Sequence, residues 1–478
     1  MNRPIARLFG LVVILFALLV AFTSRWTVFE AKSLRNSSLN RRQLLAEQRI
    51  HRGRIEAADG TILARSKRAA GGVFFRTYPS HGLFAHAVGY SYVATTSQTG
   101  LEASRNDALS GKRTGINTIL DQLQGKARVG DDVITTLDPR AQRAAISALA
   151  GQQGAIVALD PSTGAIKAMA SEPSFDPNGL GSAARLRALS TDQARKPLVN
   201  RVTQFGYAPG STFKIVTASA ALDTGTYTPQ SSVDGRDNVP ISGVGLANDN
   251  HASYGTIDLT TALAKSVNTV YAQVAVHLGK GVLARYMERF GFDHKPALDY
   301  PTNQMSSSGE YRNGVLLNPR STYVDVGRMG IGQDKLQVTP LQMVQVAAAV
   351  ANRGRLMTPH LTDRIVDPDG RTITKVTPTV QRVVMKASTA AEVSSMMQGV
   401  VDNGTGTAAQ IPGVKVAGKT GTAETQLSNT TNNVWFIAFA PAEHPRVAIA
   451  VTLQHVQGLA GATAAPVAKQ VIQAMLHG

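Results

Sequence analysis

Apolar and polar positions along this 478-residue chain fall into three patterns, and each predicts a different kind of element. The first is a continuous apolar run, LFGLVVILFALLVAFT from Leu8 to Thr23, without a charge. A bilayer-crossing helix needs about 20 apolar residues, so the run sits at the short limit. Arg7 can lay its stem along the membrane edge and lengthen it. Residues 8–24 therefore read as a transmembrane anchor and 1–7 as a short tail before it. A cleaved signal peptide and a buried core helix are the competing readings. Ala21-Phe22-Thr23 makes a weak cleavage site, and Arg25-Trp26 follows at once.

The second pattern is a set of short β runs bounded by turn residues. Ile55 and Thr61-Ile62-Leu63 flank Asp59-Gly60, which predicts a β-hairpin. Val133–Leu137 reads as a strand, after which Asp138 caps a helix with Pro139 in its first position. Ala155–Leu159 and Ala165–Ala170 form two strands joined by the turn at 160–164. Val434–Ala440 and Val447–Leu453 form another pair, and a helix follows from about Ala464 to Leu476. The third pattern is helical spacing: Ile215, Ala218, Ala221 and Leu222 predict a helix that starts near Ser211, and Leu259, Leu263 and Ala264 predict another. If the terminal helix returns to the sheet opened by Ala155–Leu159, residues 140–478 form one α/β unit. Residues 25–139 then form a smaller α+β module, basic at its start and rich in Gly, Ser and Thr after residue 71. There is no internal repeat.

Composition changes the picture in two places. Cys is absent, which excludes disulfides, thiolate metal sites and cysteine nucleophiles. Lys and Arg number 49 against 32 Asp and Glu, a net charge of +17, which invites nucleic acid, an anionic membrane or an acidic polymer as partner. No nucleic-acid-binding motif accompanies that charge. Nor does charge orient the anchor: Arg3 and Arg7 precede it, but Arg25, Lys32, Arg35, Arg41 and Arg42 follow it.

Candidate chemistry begins at GYAPGSTFKIV, where Ser211 and Lys214 are three residues apart near a helix start. That spacing places both side chains on one helical face. A desolvated lysine beside a helix N-terminus has a lowered pKa and can accept the serine proton. The plainer reading makes Ser211 an N-cap and Lys214 a solvated charge. Ser211 is nevertheless the only serine in the chain with Lys three positions later. Lys419-Thr420-Gly421-Thr422 could present a cation and backbone donors to an anion, or be an ordinary Gly turn. Ser266-x-Asn268 has no value alone, since Ser38/Asn40 and Ser104/Asn106 repeat the pattern. Only Ser266 lies between the other two motifs.

Order discriminates. Ser-x-x-Lys, then Ser-x-Asn 55 residues later, then Lys-Thr-Gly 153 residues further on resembles the active-site triplet of penicillin-binding proteins and serine β-lactamases. RGRIEAADGTILA at 52–64, GDDVITTLDPRAQ at 130–142, MGIGQDKLQVTPLQM at 329–343 and the stretch 400–424 extend the likeness. With them the chain resembles the class B penicillin-binding proteins, and among these the short actinobacterial PbpA-like members. The resemblance implies an α/β (α+β) serine D,D-transpeptidase/β-lactamase-like domain, with an antiparallel sheet flanked by helices, over 140–478. Residues 25–139 would be a non-catalytic pedestal of dimerisation type.

The implied activity is cross-linking of peptidoglycan stem peptides with release of D-Ala, and acylation by penicillin. Ser211 would be the nucleophile, Lys214 its base and Ser266 a proton relay. Asn268, Lys419, Thr420, Gly421 and Thr422 would bind substrate, with the Ser211 and Thr422 N–H groups as oxyanion hole. No metal or cofactor is implied. A D,D-carboxypeptidase, a β-lactamase and a non-catalytic β-lactam sensor or division scaffold are the alternatives. The resemblance also implies a single-pass cell-membrane protein with a cytoplasmic N-terminus. Its partners would be a SEDS-family glycan polymerase and division or elongation proteins, with no nucleic acid. The positive charge then fits an anionic envelope of wall polymer and lipid headgroups.

Overall fold

The computed structural model describes residues 3–25, 47–92, 97–112, 128–424 and 431–477. The basic residues Lys32, Arg35, Arg41 and Arg42, and the pair Ser38/Asn40, lie outside the described residues. The apolar run forms helix α1 (Arg3–Ser24), 22 residues with none buried, long and apolar enough to cross a membrane. It starts five residues before the expected anchor, because Arg3 to Arg7 continue the same helix.

The pedestal is built on a six-stranded sheet. β1 (Ile55–Glu56) and β2 (Ile62–Arg68) form the expected hairpin. Gly60 takes φ +84°, and Asp59 accepts a bond from the Thr61 N–H at 2.9 Å. β3 (Phe74–Thr77) extends it on one side and β4 (Asp132–Thr135) on the other, parallel to β1. Glu102, fully buried, accepts bonds from Arg52 at 2.9 Å and Arg76 at 2.5 Å, which fixes a short helix against this sheet.

After β4, Asp138 caps α2 (Pro139–Leu149) through bonds from the N–H groups of Arg140 and Ala141. β5 (Gly154–Leu159) and β6 (Ile166–Glu172) follow, then α3 (Lys214–Asp223), α4 (Leu259–Ala264), α5 (Asn268–Arg289) and α6 (Pro340–Ala351). Next, β7 (Thr362–Val366) and β8 (Thr372–Lys375) turn back into the pedestal, giving the order β8-β7-β4-β1-β2-β3. The pedestal sheet is thus completed by a hairpin from the later part of the chain. Helix α7 (Ala387–Asp402) leads to β9 (Ala417–Glu424), β10 (Asn432–Ala440), β11 (Val447–Val456) and α8 (Ala460–Leu476).

The second sheet is antiparallel throughout, in the order β9-β10-β11-β5-β6. The last strand pair returns to the first, and α8 packs on it beside α2. Both faces are covered, so β5 and most of β11 are buried without alternation. Ile156, Phe436, Ile449 and Val451 face one core with α8, whereas Val157, Trp435, Ile437 and Ala450 face the other with α3 and α6. Among the described residues β9 has a neighbour on one side only, and the cavity of interest lies against it.

Candidate active site

The Ser211 turn is shaped by contacts that leave no room for side chains. Gly210–Phe213 form one 3-10 turn leading into α3, with Gly210 at φ +52°. A Cβ on Gly332 would stand 1.9 Å from the Gly210 carbonyl oxygen, and the Gly210 N–H donates to the Gly332 carbonyl at 3.0 Å. A Cβ on Gly421 would stand 2.6 Å from the Pro209 carbonyl oxygen. The turn is wedged between the 329–338 segment and β9. Tyr207 pairs with Val338 through two backbone bonds, and Trp435 Nε1 donates to the Ala208 carbonyl at 3.0 Å.

Lys214 opens α3 and is fully buried. Its Nζ donates to the Ser266 carbonyl at 2.6 Å and to Asn268 Oδ1 at 2.7 Å, and stands 3.4 Å from Ser266 Oγ. Lys419, also fully buried, donates to Ser266 Oγ at 2.9 Å and to the Thr420 carbonyl at 3.0 Å. The two lysines therefore share one hydroxyl. Ser266 follows α4 at φ +60°, a conformation that L residues take at a cost and that clusters at functional sites. Burial lowers the Lys214 pKa well below its usual range, and the neighbouring Lys419 lowers it further. Burial also brings Lys419 down to about 7. The expected depression of Lys214 is present, with burial and the second lysine as its causes.

The Ser211 hydroxyl has no hydrogen-bond partner among the described residues; the lysine bonds instead to Ser266 and Asn268. Gly421 faces the nucleophile turn, and Lys419, two residues earlier on the same face of β9, reaches Ser266. Thr420 and Thr422 alternate to the other side. Thr420 Oγ1 pairs with Thr405 Oγ1 at 2.6 Å, while among the described residues Thr422 Oγ1 has only the Ala460 N–H, at 3.5 Å. Of the two threonines, Thr422 has the freer hydroxyl. Ser211, Ser266, Asn268, Thr420, Gly421 and Thr422 line a single cavity of about 460 Å³. Asp249, Gln333, Thr405 and Leu459 line it as well, and none of them stood out in the sequence. Gln333 and Thr405 lie in the quoted 329–343 and 400–424 strings; Asp249 sits in a loop with no motif. The rival pair Ser104/Asn106 is structural: Ser104 Oγ donates to the Asp299 carbonyl, and Asn106 Oδ1 accepts from Arg52. Among the described residues no three His, Asp or Glu side chains converge.

A family model of the penicillin binding protein transpeptidase domain matches residues 154–473, and one of the penicillin binding protein A dimerisation domain matches 52–133. The peptidoglycan D,D-transpeptidase PbpA of Mycolicibacterium smegmatis is 35% identical over 501 residues, covering 100% of this chain and 99% of that protein. PbpA of Mycobacterium tuberculosis is 35% identical over 504 residues, covering 100% of both. A solved structure of penicillin-binding protein A from M. tuberculosis, a ceftriaxone acyl-enzyme complex, matches with a TM-score of 0.81 at 33% identity, over 91% of this chain and 100% of that one. The likeness runs the length of the chain and includes the cavity in which the three motifs meet, and the chain belongs to the penicillin-binding protein transpeptidases.

Proposed function

We infer that the chain is a peptidoglycan D,D-transpeptidase that works through an acyl-enzyme on Ser211. The observation that carries this reading is the buried Lys214, held against Ser266 and Asn268 one turn from a nucleophile open to the cavity. A neutral amine has two N–H donors. Ser266 O and Asn268 Oδ1 occupy both, leaving the lone pair to accept the Ser211 proton. Ser211 Oγ then attacks the penultimate carbonyl of a D-Ala-D-Ala stem, and the C–N bond to D-Ala breaks. Ser266, bonded by Lys419, relays the proton to the departing amine. The N–H groups of Ser211 and Thr422 stabilise the oxyanion, a contribution of about 3 kcal/mol per donor. The close approach of Gly210 to the Thr422 backbone supports that pairing. Thr422 and Lys419 receive the terminal carboxylate, with Thr420 fixed by Thr405. An amine from a second stem then attacks the ester and completes the cross-link.

α1 is a membrane anchor, run with its N-terminus in the cytoplasm so that the cavity faces the wall. Residues 25–139, completed by β7 and β8, serve as a non-catalytic pedestal. Only 115 residues lie between the anchor and residue 140. That is too short for a glycosyltransferase domain, so a separate SEDS-family polymerase supplies the glycan strands. Labelling with fluorescent penicillin tests the chemistry: the wild-type chain forms a stable adduct mapped to Ser211, and Ser211→Ala forms none. An adduct that persists in Ser211→Ala overturns the assignment.

A further inference from the structure

Asp249 is the only charged side chain among the described residues that line the cavity, and it is exposed at the mouth. Asn268 Nδ2 donates to Asp249 Oδ1 at 3.4 Å, so the carboxylate stands on the same wall as the residues that hold Lys214. The loop that carries it is fixed. The buried Asn248 accepts bonds from the Thr269 N–H at 3.0 Å and from its hydroxyl at 3.1 Å, and donates to the Ala252 carbonyl at 2.9 Å. The Asn248 N–H donates to Asp237 Oδ1 at 2.7 Å, and Asp237 also holds His251 at 3.1 Å. Asn250 and His251 both take positive φ, 55° and 54°, so the backbone at the mouth is held in a costly shape. A carboxylate at the rim of an acyl-transfer cavity makes no bond to Ser211 or to Lys214. A donor stem is an anion at its terminus, and a rim carboxylate repels it.

We propose that Asp249 captures the ammonium group of the acceptor, the second stem peptide whose amine resolves the acyl-enzyme. The proposal rests on the acyl-enzyme reading above. The acceptor nitrogen reaches the mouth as an ammonium and donates to Asp249. It loses one proton to water at the mouth, then attacks the ester carbonyl carbon as the Lys214 and Ser266 relay takes a second. The C–Oγ bond breaks, Ser211 Oγ takes the electron pair and regains a proton from the relay, and the amide remains on the acceptor. Water can resolve the same ester, but it is neutral and gains nothing from the carboxylate. Asp249 is thereby a determinant of cross-linking over hydrolysis. Its charge also favours the protonated forms of Lys214 and Lys419, an effect common to every acceptor. The experiment must therefore read a ratio.

The full chain in detergent is acylated by a thioester analogue of an acyl-D-Ala donor at neutral pH. The products of aminolysis and hydrolysis are then separated with two acceptors. Glycinamide is an ammonium under these conditions, and hydroxylamine is uncharged. Asp249→Asn lowers the glycinamide-to-water ratio about 2- to 5-fold, the range for an exposed carboxylate–ammonium pair, and leaves the hydroxylamine-to-water ratio in place. Asp249→Glu restores most of the glycinamide ratio. An unchanged glycinamide ratio, or an equal fall with both acceptors, overturns the proposal while the acyl-enzyme reading stands. If the wild-type chain forms no acyl-enzyme from the donor, both readings fall together.

Discussion

Replacing Lys419 with Met keeps the length of the stem, removes one of the two buried charges, and should move the pH dependence of acylation. Lys214 Nζ is 3.4 Å and Lys419 Nζ 2.9 Å from the same Ser266 oxygen. The two nitrogens therefore lie within about 6 Å, where two unit charges at an effective dielectric of about 20 repel by about 3 kcal/mol, or about 2 pH units. Burial disfavours both charges, and the pair resolves the conflict by holding one proton near neutral pH. Lys419, lowered to about 7, keeps it, and Lys214, disfavoured by burial and by the charge on Lys419, is the free base. In Lys419→Met the base titrates alone, and its pKa rises by up to about 2 units. The acidic limb of the acylation profile shifts to higher pH by the same amount. The assay is the second-order rate of acylation by fluorescent penicillin from roughly pH 5 to pH 9, each profile normalised to its own plateau. Normalisation matters because Lys419 also holds the Ser266 hydroxyl, and its loss lowers the plateau itself. A limb that stays at the wild-type position, or moves to lower pH, refutes the assignment of Lys214 as the base tuned by Lys419.

Two further outcomes follow from other parts of the molecule. Glu310, fully buried on the short strand Gly309–Arg312, has its carboxyl pushed up to about 8, mainly by burial and then by Asp334. In the unfolded chain it ionises near 4.5. Its contribution to stability is thus complete below about pH 4.5 and is lost as pH rises toward 8. Glu310→Gln removes that loss, so its melting temperature relative to wild type rises steadily from pH 5 to 8; a difference that stays flat with pH contradicts this. The anchor and partner reading predicts that a chain starting at residue 47 leaves the membrane fraction and ceases to crosslink to a SEDS-family polymerase. A truncated chain that still co-purifies with membranes counts against α1 as the anchor.

The central sheet was legible because both of its faces are buried. GAIVAL and the Val447–Leu453 run are apolar without alternation, and turns mark their ends. Asp138-Pro139 announced α2 because cap chemistry is local. The β7–β8 hairpin was not legible. Thr372–Lys375 is exposed along its length, and β7 pairs with β4 across more than 220 residues of chain, so no local pattern records the pairing. At the site, Ser211, Lys214 and Lys419 declared themselves by residue type and order. Ser266 and Asn268 did so only through their position between the other motifs, since Ser104/Asn106 has the same pattern and a structural role. Thr420 and Thr422 share one face of β9, and what separates them is the Thr405 hydroxyl bonded to Thr420, a contact that sequence order does not give. Asp249 had no signal at all. Its neighbour Asn248 fixes it through bonds to Thr269, and that contact exists only in the folded chain.

The arrangement also explains why such a cavity needs so large a scaffold. Two lysines with no exposure, and Ser266 in a left-handed conformation, each cost stability that a small domain would lack. Here the costs fall where two cores meet. Lys214 is on α3, which is buried on every side, and Lys419 is on β9, held through eight residue pairs to β10. The hydroxyl they share lies at the end of α4, whose Leu259, Ala262 and Leu263 are fully buried. Each member of the site is thus fixed by a different packed element, and none can relax without moving a helix or strand. Shedding the unfavourable charge by moving a side chain into solvent is closed to both lysines. The pair can relieve it only by releasing a proton, and a base neutral at physiological pH is what attack by Ser211 requires.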